Sequence, residues 1–463
     1  MNRKGRDFTV GDPGRQLLIF AWPLVLSMLL QNLYNMADTL IVGRYLGDTA
    51  MGAVGTCGSV TNVVLMLIGG CTQGMAVVLS QYIGAKDETK VKKTITTGLY
   101  MIVGMAIVFG IIGMVFAREL LMMINVSGEA LGYATSYLVI IFAGSVATAL
   151  YNMGNSMSRA LGDSVTPMIV LIVTSILNIF LNILFVAGFH MGVPGVAYAT
   201  ILATILSAIV CWGIIWKKMP IVHPDKSTIR PDGEMAKLVL RIGLPSALQS
   251  STVTIGILLV QALVNAFDTP LLPVMAAYAA ATKIEAFISY PPGGISQGMQ
   301  VLAGQNVGAG KFERVGQGLK ASIKIIAVYS VFSAFVLIAF GRFLMGFFTE
   351  TPATVTIGYH YLVVTAIGVF FCGIVFTVRY TLSGSGDASA AVYISVIELA
   401  VRIGSAYLLS HFTPLGYIGV FLGTPIGWMA SGTYAVVRYR SGKWKKKRIV
   451  KEDRESASAN VGA

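Results

Sequence analysis

Residues 165–189 read VTPMIVLIVTSILNIFLNILFVAGF, a run without one charged side chain. At 1.5 Å per residue, a helix over this run is longer than the roughly 30 Å of hydrocarbon in a bilayer. Residues 94–117 make a second such run. Working outward from these two, the apolar stretches between charge clusters give about twelve spans: 16–43, 50–82, 92–117, 130–157, 165–188, 193–217, 237–266, 271–304, 316–341, 354–382, 388–411 and 416–438. Composition agrees, since 55% of the 463 residues are hydrophobic, 12% are charged and the mean hydropathy is +0.74. A soluble domain carries about 25% charged residues. A β-barrel is excluded because the runs are continuous rather than alternating segments of about ten residues. The expected fold is all-α and polytopic, with about twelve transmembrane helices.

The net charge of +13 raises a nucleic-acid partner until the cations are placed. With the N-terminus in the cytoplasm, one side collects Arg3 to Arg15, Lys86 to Lys93, Arg159, Lys217 to Arg241, Lys311 to Lys324, Arg379 and nine cations between 438 and 454. The other side keeps only Arg44, Arg118 and Arg342. The positive-inside rule then puts both termini in the cytoplasm of a multi-pass protein of the cell (cytoplasmic) membrane. The tail run KWKKKR at 443–448 reads as a topological, lipid-facing anchor, and no nucleic-acid partner is expected. The basic start leads into a long span without a small-residue cleavage site, so no cleaved signal peptide is expected. Cys57, Cys71, Cys211 and Cys372 lie in or beside apolar runs, without CxxC spacing or paired histidines, and read as small core residues.

The two halves of the chain repeat. Gln81, Gly84 and Ala85 recur as Gln305, Gly308 and Ala309; Gly162 and Asp163 as Gly386 and Asp387; Thr200 as Thr424; and Ser207 as Ser431, always 224 residues apart. Six spans per repeat is an even number, so the repeats are parallel and related by an axis along the membrane normal, with a substrate path between them. The expected division is an N-terminal six-helix lobe at 1–217, a cytoplasmic linker at 218–236 holding Pro220, Pro224 and Pro231, a C-terminal six-helix lobe at 237–440 and a basic cytoplasmic tail at 441–463. The lobes should enclose a central cavity.

Ionisable groups inside spans are costly and point to function. Five stand out: Asp38, Lys283, Glu285, Glu398 and Arg402. Behind Asp38 on its helix lie Asn35, Tyr34 and Gln31, a polar stripe that must face protein or water rather than lipid. Pro23, fifteen residues earlier, is a candidate hinge. The fifth span offers Thr174, Asn178 and Asn182 at four-residue spacing, and the sixth offers Thr200, Thr204 and Ser207. These neutral oxygens could meet Asp38 around a sodium ion or water, or serve only as polar glue between helices. In the second repeat the positions of Thr174 and Asn178 hold Glu398 and Arg402, which can neutralise each other four residues apart. Lys283 and Glu285, two apart, cannot share a helix face, and one or both should find structural partners. Gln31, Asn35, Asn155 and Glu285 are the candidates for lining the substrate cavity.

Enzyme and pump motifs are missing. GQNVGAGK at 304–311 resembles a P-loop, but its glycine spacing is one too long and Phe312 stands where Ser or Thr is needed. HExxH and GxSxG patterns are absent as well, so neither an enzyme nor an ATPase is expected and transport would be secondary. Most of the 21 methionines and the 10% aromatics read as packing, some as the lining of an adaptable apolar pocket.

With these residues in view, the chain resembles the multidrug and toxic-compound extrusion (MATE) family of the MOP flippase superfamily, in its bacterial branch. The matching pieces are Pro23 followed by QNLYNMADTLIVG at 31–43, QYIGA at 81–85, RALGD at 159–163, NIFLN at 178–182 and QNVGAGKFER at 305–314. The resemblance implies an antiporter without cofactor, acting as a monomer, that exports cationic or amphipathic compounds in exchange for protons or sodium ions. It also implies an ion site at Asp38, Asn178, Asn182 and Thr200, where sodium could bind. Asn182 stands where many relatives have aspartate; one carboxylate makes a weaker sodium cage than two, which leans the coupling toward protons. The glutamate that another branch carries in its seventh helix is missing from the stretch QSSTV at 249–253. The alternative within the superfamily is a lipid-linked oligosaccharide flippase, for which Lys283, Arg379 and Arg402 are the candidate cavity cations.

Overall fold

The computed structural model describes residues 5–450, so residues 451–463 of the expected tail, and Arg3 and Lys4, lie outside the described residues. The helices are α1 (Pro13–Leu46), α2 (Asp48–Ala85), α3 (Glu88–Val115), α4 (Ala117–Met123), α5 (Gly128–Ala143), α6 (Ser145–Ala160) and α7 (Val165–Ile183). They continue with α8 (Gly192–Lys218), α9 (Gly233–Asn265), α10 (Val274–Gly308), α11 (Phe312–Gly346), α12 (Pro352–Gly384), α13 (Ala388–Phe412) and α14 (Tyr417–Arg440). A π-helical turn, Leu184–Gly188, extends α7, and a 3₁₀ turn, Lys443–Lys447, follows α14.

Among the described residues ten helices are long and apolar enough to cross a membrane, and α5 with α6 forms an eleventh, bent by 54° at its break. The span expected over 130–157 is therefore two helices meeting at Gly144. The 35-residue α10 completes twelve by length, its apolar character diluted by Lys283, Glu285, Pro291 and Pro292. Helix starts follow local chemistry: Asp12, Asp87 and Asp232 each accept a hydrogen bond from a backbone N–H of the first turn behind them. The α1 helix continues through Pro23, which is buried.

Apolar packing explains how the halves are joined. At the end where both chain termini converge, each core mixes the two halves. Leu17, Phe20 and Leu24 of α1 pack with Met299, Leu302, Val375 and Trp428. Reciprocally, Met235, Val239 and Ile242 of α9 pack with Met75, Ile95 and Met153. At the opposite end the cores are separate: Val42, Ala53, Leu138 and Val196 belong to the first half, and Val264, Val274, Leu362 and Phe421 to the second. Shared packing at one end and none at the other gives a V with a cavity between its arms.

The joined end carries a pseudo-symmetric seam where α2 and α10 cross. Gln81 Nε2 donates to the Gly384 carbonyl and Gln305 Nε2 to the Ala160 carbonyl, each at 3.1 Å. The Phe8 N–H donates to Gln305 Oε1 at 3.0 Å, and the Ile449 N–H to Gln81 Oε1 at 2.8 Å. Each glutamine thus ties a carbonyl of the other half to one chain end. A Cβ on Gly84 would lie 1.8 Å from the Gln305 carbonyl oxygen, and one on Gly308 1.9 Å from that of Gln81, so only glycine allows this crossing.

Two expectations need correction. The 443–448 run is not a free lipid-facing anchor: Trp444 is 2% exposed and stacks on Tyr439, and Arg448 Nη2 donates to the Gly308 carbonyl at 2.9 Å. Burying an indole outweighs leaving the run in the headgroups, while Lys445, Lys446 and Lys447 stay exposed. The 218–236 linker is pinned to α3, where Lys92 and Lys93 pair with Asp225 and Asp232 at 2.6 and 3.3 Å. Finally, Arg159 and Arg379, counted among the loop cations, lie within α6 and α12, and Arg379 is 5% exposed.

Candidate ion site and central cavity

The polar stripes of α1, α7 and α8 meet. Asn182 Nδ2 donates to Asp38 Oδ1 at 2.6 Å and approaches Asn178 Oδ1 at 2.8 Å. Asn178 and Asn182 are 1% and 0% exposed, as expected for a stripe turned away from lipid. Thr200 lies beside this cluster, on the same cavity wall as Tyr34 and Asn178. The Thr200 hydroxyl donates to its own helix, at the Val196 carbonyl, 3.0 Å away. A small cavity of about 100 Å³ opens beside this cluster, lined by Tyr34, Thr174, Asn178, Thr200, Thr204 and Ser207.

The polar atoms around Asp38 are only partly paired. Asp38 is met by an amide N–H rather than by a ring of oxygens, and the Asn182 oxygen and Asn178 amide nitrogen are buried without partners. Among the described residues no group of three or more His, Cys, Asp or Glu side chains converges on one point.

Gln31, Asn35 and Asn155 come together in a larger chamber of about 420 Å³ between the arms, which also meets Tyr151, Asn152, Arg159, Tyr290 and Gln297. An adjoining chamber of about 280 Å³ shares Asn152, Arg159 and Gln297 and adds Gln73, Gln300 and Tyr380. Asn32 of α1 donates to the Tyr290 hydroxyl of α10 across the halves. Gln31, Tyr151 and Leu171 line both the small cavity at the ion cluster and the larger chamber, so they form the wall between them.

Glu285 is placed elsewhere. It accepts a hydrogen bond from Tyr361 inside the second half, because α10 turns it toward α12 rather than toward α1. Lys283 is exposed and joins none of the ion pairs among the described residues. Glu398 and Arg402 pair at 2.7 Å, and Arg379 adds a contact at 3.6 Å to the same carboxylate. Arg402 also lies over the Trp428 ring. Sequence reasoning missed Arg159, Gln73, Gln297, Gln300 and Tyr380 as lining residues. Arg159 opens the RALGD piece, but a cation at the end of a span reads as a loop charge until the helix is seen to reach it.

The MatE family model matches this chain twice, over residues 23–184 and again over 245–408. The chain belongs to the MatE family. The two matches begin 222 residues apart and end 224 apart, which is the repeat seen in the sequence. Among MatE relatives, the "Probable multidrug resistance protein YpnP" of Bacillus subtilis is 29% identical over 97% of this chain and all of its own length. The "Probable multidrug resistance protein NorM" of Thermotoga maritima is 26% identical over 95% of each chain. A solved MATE structure in the bent conformation superposes with a TM-score of 0.90 at 23% identity, covering 97% of this chain and all of that one. The twelve-helix membrane fold of this MatE chain is that of the MATE structures.

Proposed function

We propose that this protein is a secondary antiporter of the cell membrane, both termini cytoplasmic, that exports cationic or amphipathic compounds in exchange for protons. The observation that carries the reading is the wall formed by Gln31 and Tyr151. It stands between the inter-half chamber and the small cavity lined by Asn178 and Thr200, which gives a change at one a short route to the other. The multidrug names of its relatives support the same reading.

In this cycle a protonated Asp38 is neutral and releases the Asn182 amide, whereas the ionised carboxylate binds it. Two hydrogen-bonded arrangements of α1 against α7 follow from that one proton. Exchange of one proton for one monovalent cation is electroneutral and draws only on the pH gradient, about 1.4 kcal/mol per pH unit. The flippase alternative has less support, since Arg379 and Arg402 are spent on Glu398 and Lys283 stands apart.

The test is ethidium export from proteoliposomes under an imposed pH or sodium gradient. Asp38→Asn should abolish gradient-driven export and leave the protein folded. Export by that variant at the wild-type rate would remove Asp38 from the coupling and make Glu285 the next candidate. Export driven by sodium alone would overturn the proton assignment.

A further inference from the structure

The inter-half chambers have a charge that the cycle above does not use. Arg159, in the last turn of α6, borders both chambers and is half-buried. Its one hydrogen bond is from Nη2 to Ser156 Oγ at 2.8 Å, and it joins none of the ion pairs among the described residues. The nearest acid in sequence, Asp163, is occupied: it accepts from the Val165 and Thr166 N–H groups at 3.0 Å and from Thr166 Oγ1 at 2.6 Å. Neither chamber is lined by an aspartate or glutamate.

The other arginines set deep in the bundle behave differently. Arg379 and Arg402 share Glu398, and Arg438 holds Asp387 at 2.8 Å. Withdrawing a guanidinium from water without a counter-charge is costly, and folded chains rarely leave one so. The position 224 residues after Arg159 is Ser383, so the charge is not imposed by the repeat. A lone guanidinium presents a planar fork of donors that matches an oxyanion in bidentate fashion. Around it stand neutral amides, Asn152, Asn155 and Gln297, and the rings of Tyr151 and Tyr380, which suit an aromatic or amphipathic body.

We infer that Arg159 is the binding site for a carboxylate on the transported molecule, so that an amphipathic zwitterion is preferred over the matched compound whose carboxyl group is blocked. This deepens the export reading and rests on the inter-half chambers being the substrate path. The carboxylate lies toward the closed seam and the apolar body toward the open end of the V.

The experiment uses matched pairs that differ only at the carboxyl group: rhodamine 110 and its methyl ester rhodamine 123, and norfloxacin and its ethyl ester. Binding is measured on the full chain in phosphatidylcholine nanodiscs, which contain no anionic lipid to compete. A charge-assisted bidentate contact predicts that each acid binds about 10- to 150-fold more tightly than its ester. Arg159→Met should erase that preference by weakening the acids alone, and Arg159→Lys should keep part of it. The wild-type comparison stands even if a variant fails to fold. Esters that bind as tightly as acids, or an Arg159→Met protein that weakens both equally, overturn the inference while leaving the export reading intact. If no member of either pair binds and ethidium is not exported, both fail together.

Discussion

Replacing Gly84 with alanine tests whether the seam is the closed gate of the transporter. The new Cβ would sit 1.8 Å from the Gln305 carbonyl oxygen, and an ordinary contact begins at 3.4 Å, so α2 and α10 must part by about 1.6 Å at the crossing. The atom met belongs to the main chain of a packed helix and cannot rotate away. Overpacking costs about 1–3 kcal/mol, and a rigid neighbour puts this site toward the upper part of that range. At about 2–3 kcal/mol, the balance between closed and parted seam shifts roughly 30- to 150-fold. Parting also stretches the 3.1 Å bonds from Gln81 to Gly384 and from Gln305 to Ala160. Spin labels on exposed Glu88 and Glu313, in the first turns of α3 and α11, report the separation by pulsed electron resonance. The wild type should show mainly the shorter distance, and Gly84→Ala a second, longer one. Gly308→Ala should act alike, and the double variant by less than the sum, since both load one contact. An unchanged distance distribution with an unchanged unfolding temperature would refute the reasoning.

Pro23→Ala should slow export more than it lowers stability, since α1 is helical through this residue already; unchanged export at normal expression removes Pro23 as a hinge. Arg402→Met should destabilise by about 3–5 kcal/mol, because Glu398 keeps only the more distant Arg379, while Glu398→Leu combined with Arg402→Met should cost less than the single change; thermal unfolding in nanodiscs checks the order. Asp232 caps α9, and the Met235 N–H, then the Lys93 and Glu234 contacts, hold its carboxyl below the usual aspartate range. Its contribution is therefore present above about pH 3.9, the unfolded value, and fades as pH falls through the lower folded value. Asp232→Ala should cost about 1 kcal/mol at pH 7, and the gap to wild type should narrow at pH 3.

The spans and the repeat were legible because each rests on the chain's own order. Hydropathy needs no partner, and a constant offset between Gln81 and Gln305 survives any packing. The Asp38 cluster was legible for the same reason, since four-residue spacing fixes which faces of α1 and α7 are polar before they meet. The Tyr361 partner of Glu285 was not legible, because spacing gives the face of α10 but not what lies opposite it, and Tyr361 is 76 residues away. Arg159 and Arg379 were misread as loop charges because helix ends are decided by packing; α6 and α12 run on past the apolar stretch, where protein rather than lipid surrounds them. The bend at Gly144 was hidden for a different reason: both helices are apolar enough to read as one.

The exchange of opening helices between the halves has a consequence for how the chain is made. The first half cannot complete its core until α9 has been synthesised, and the N-terminal strap at Phe8 has nowhere to dock until Gln305 exists. Gln81 waits longest, for a partner 368 residues downstream at Ile449. At about 5–20 residues per second that is roughly 20–75 s during which a buried amide stands open in the growing protein. The residues around Ile449 therefore act as the final fastening of the fold. A stop codon at 441 would leave every transmembrane helix in place and still deprive the newborn chain of one of the four glutamine bonds of the seam.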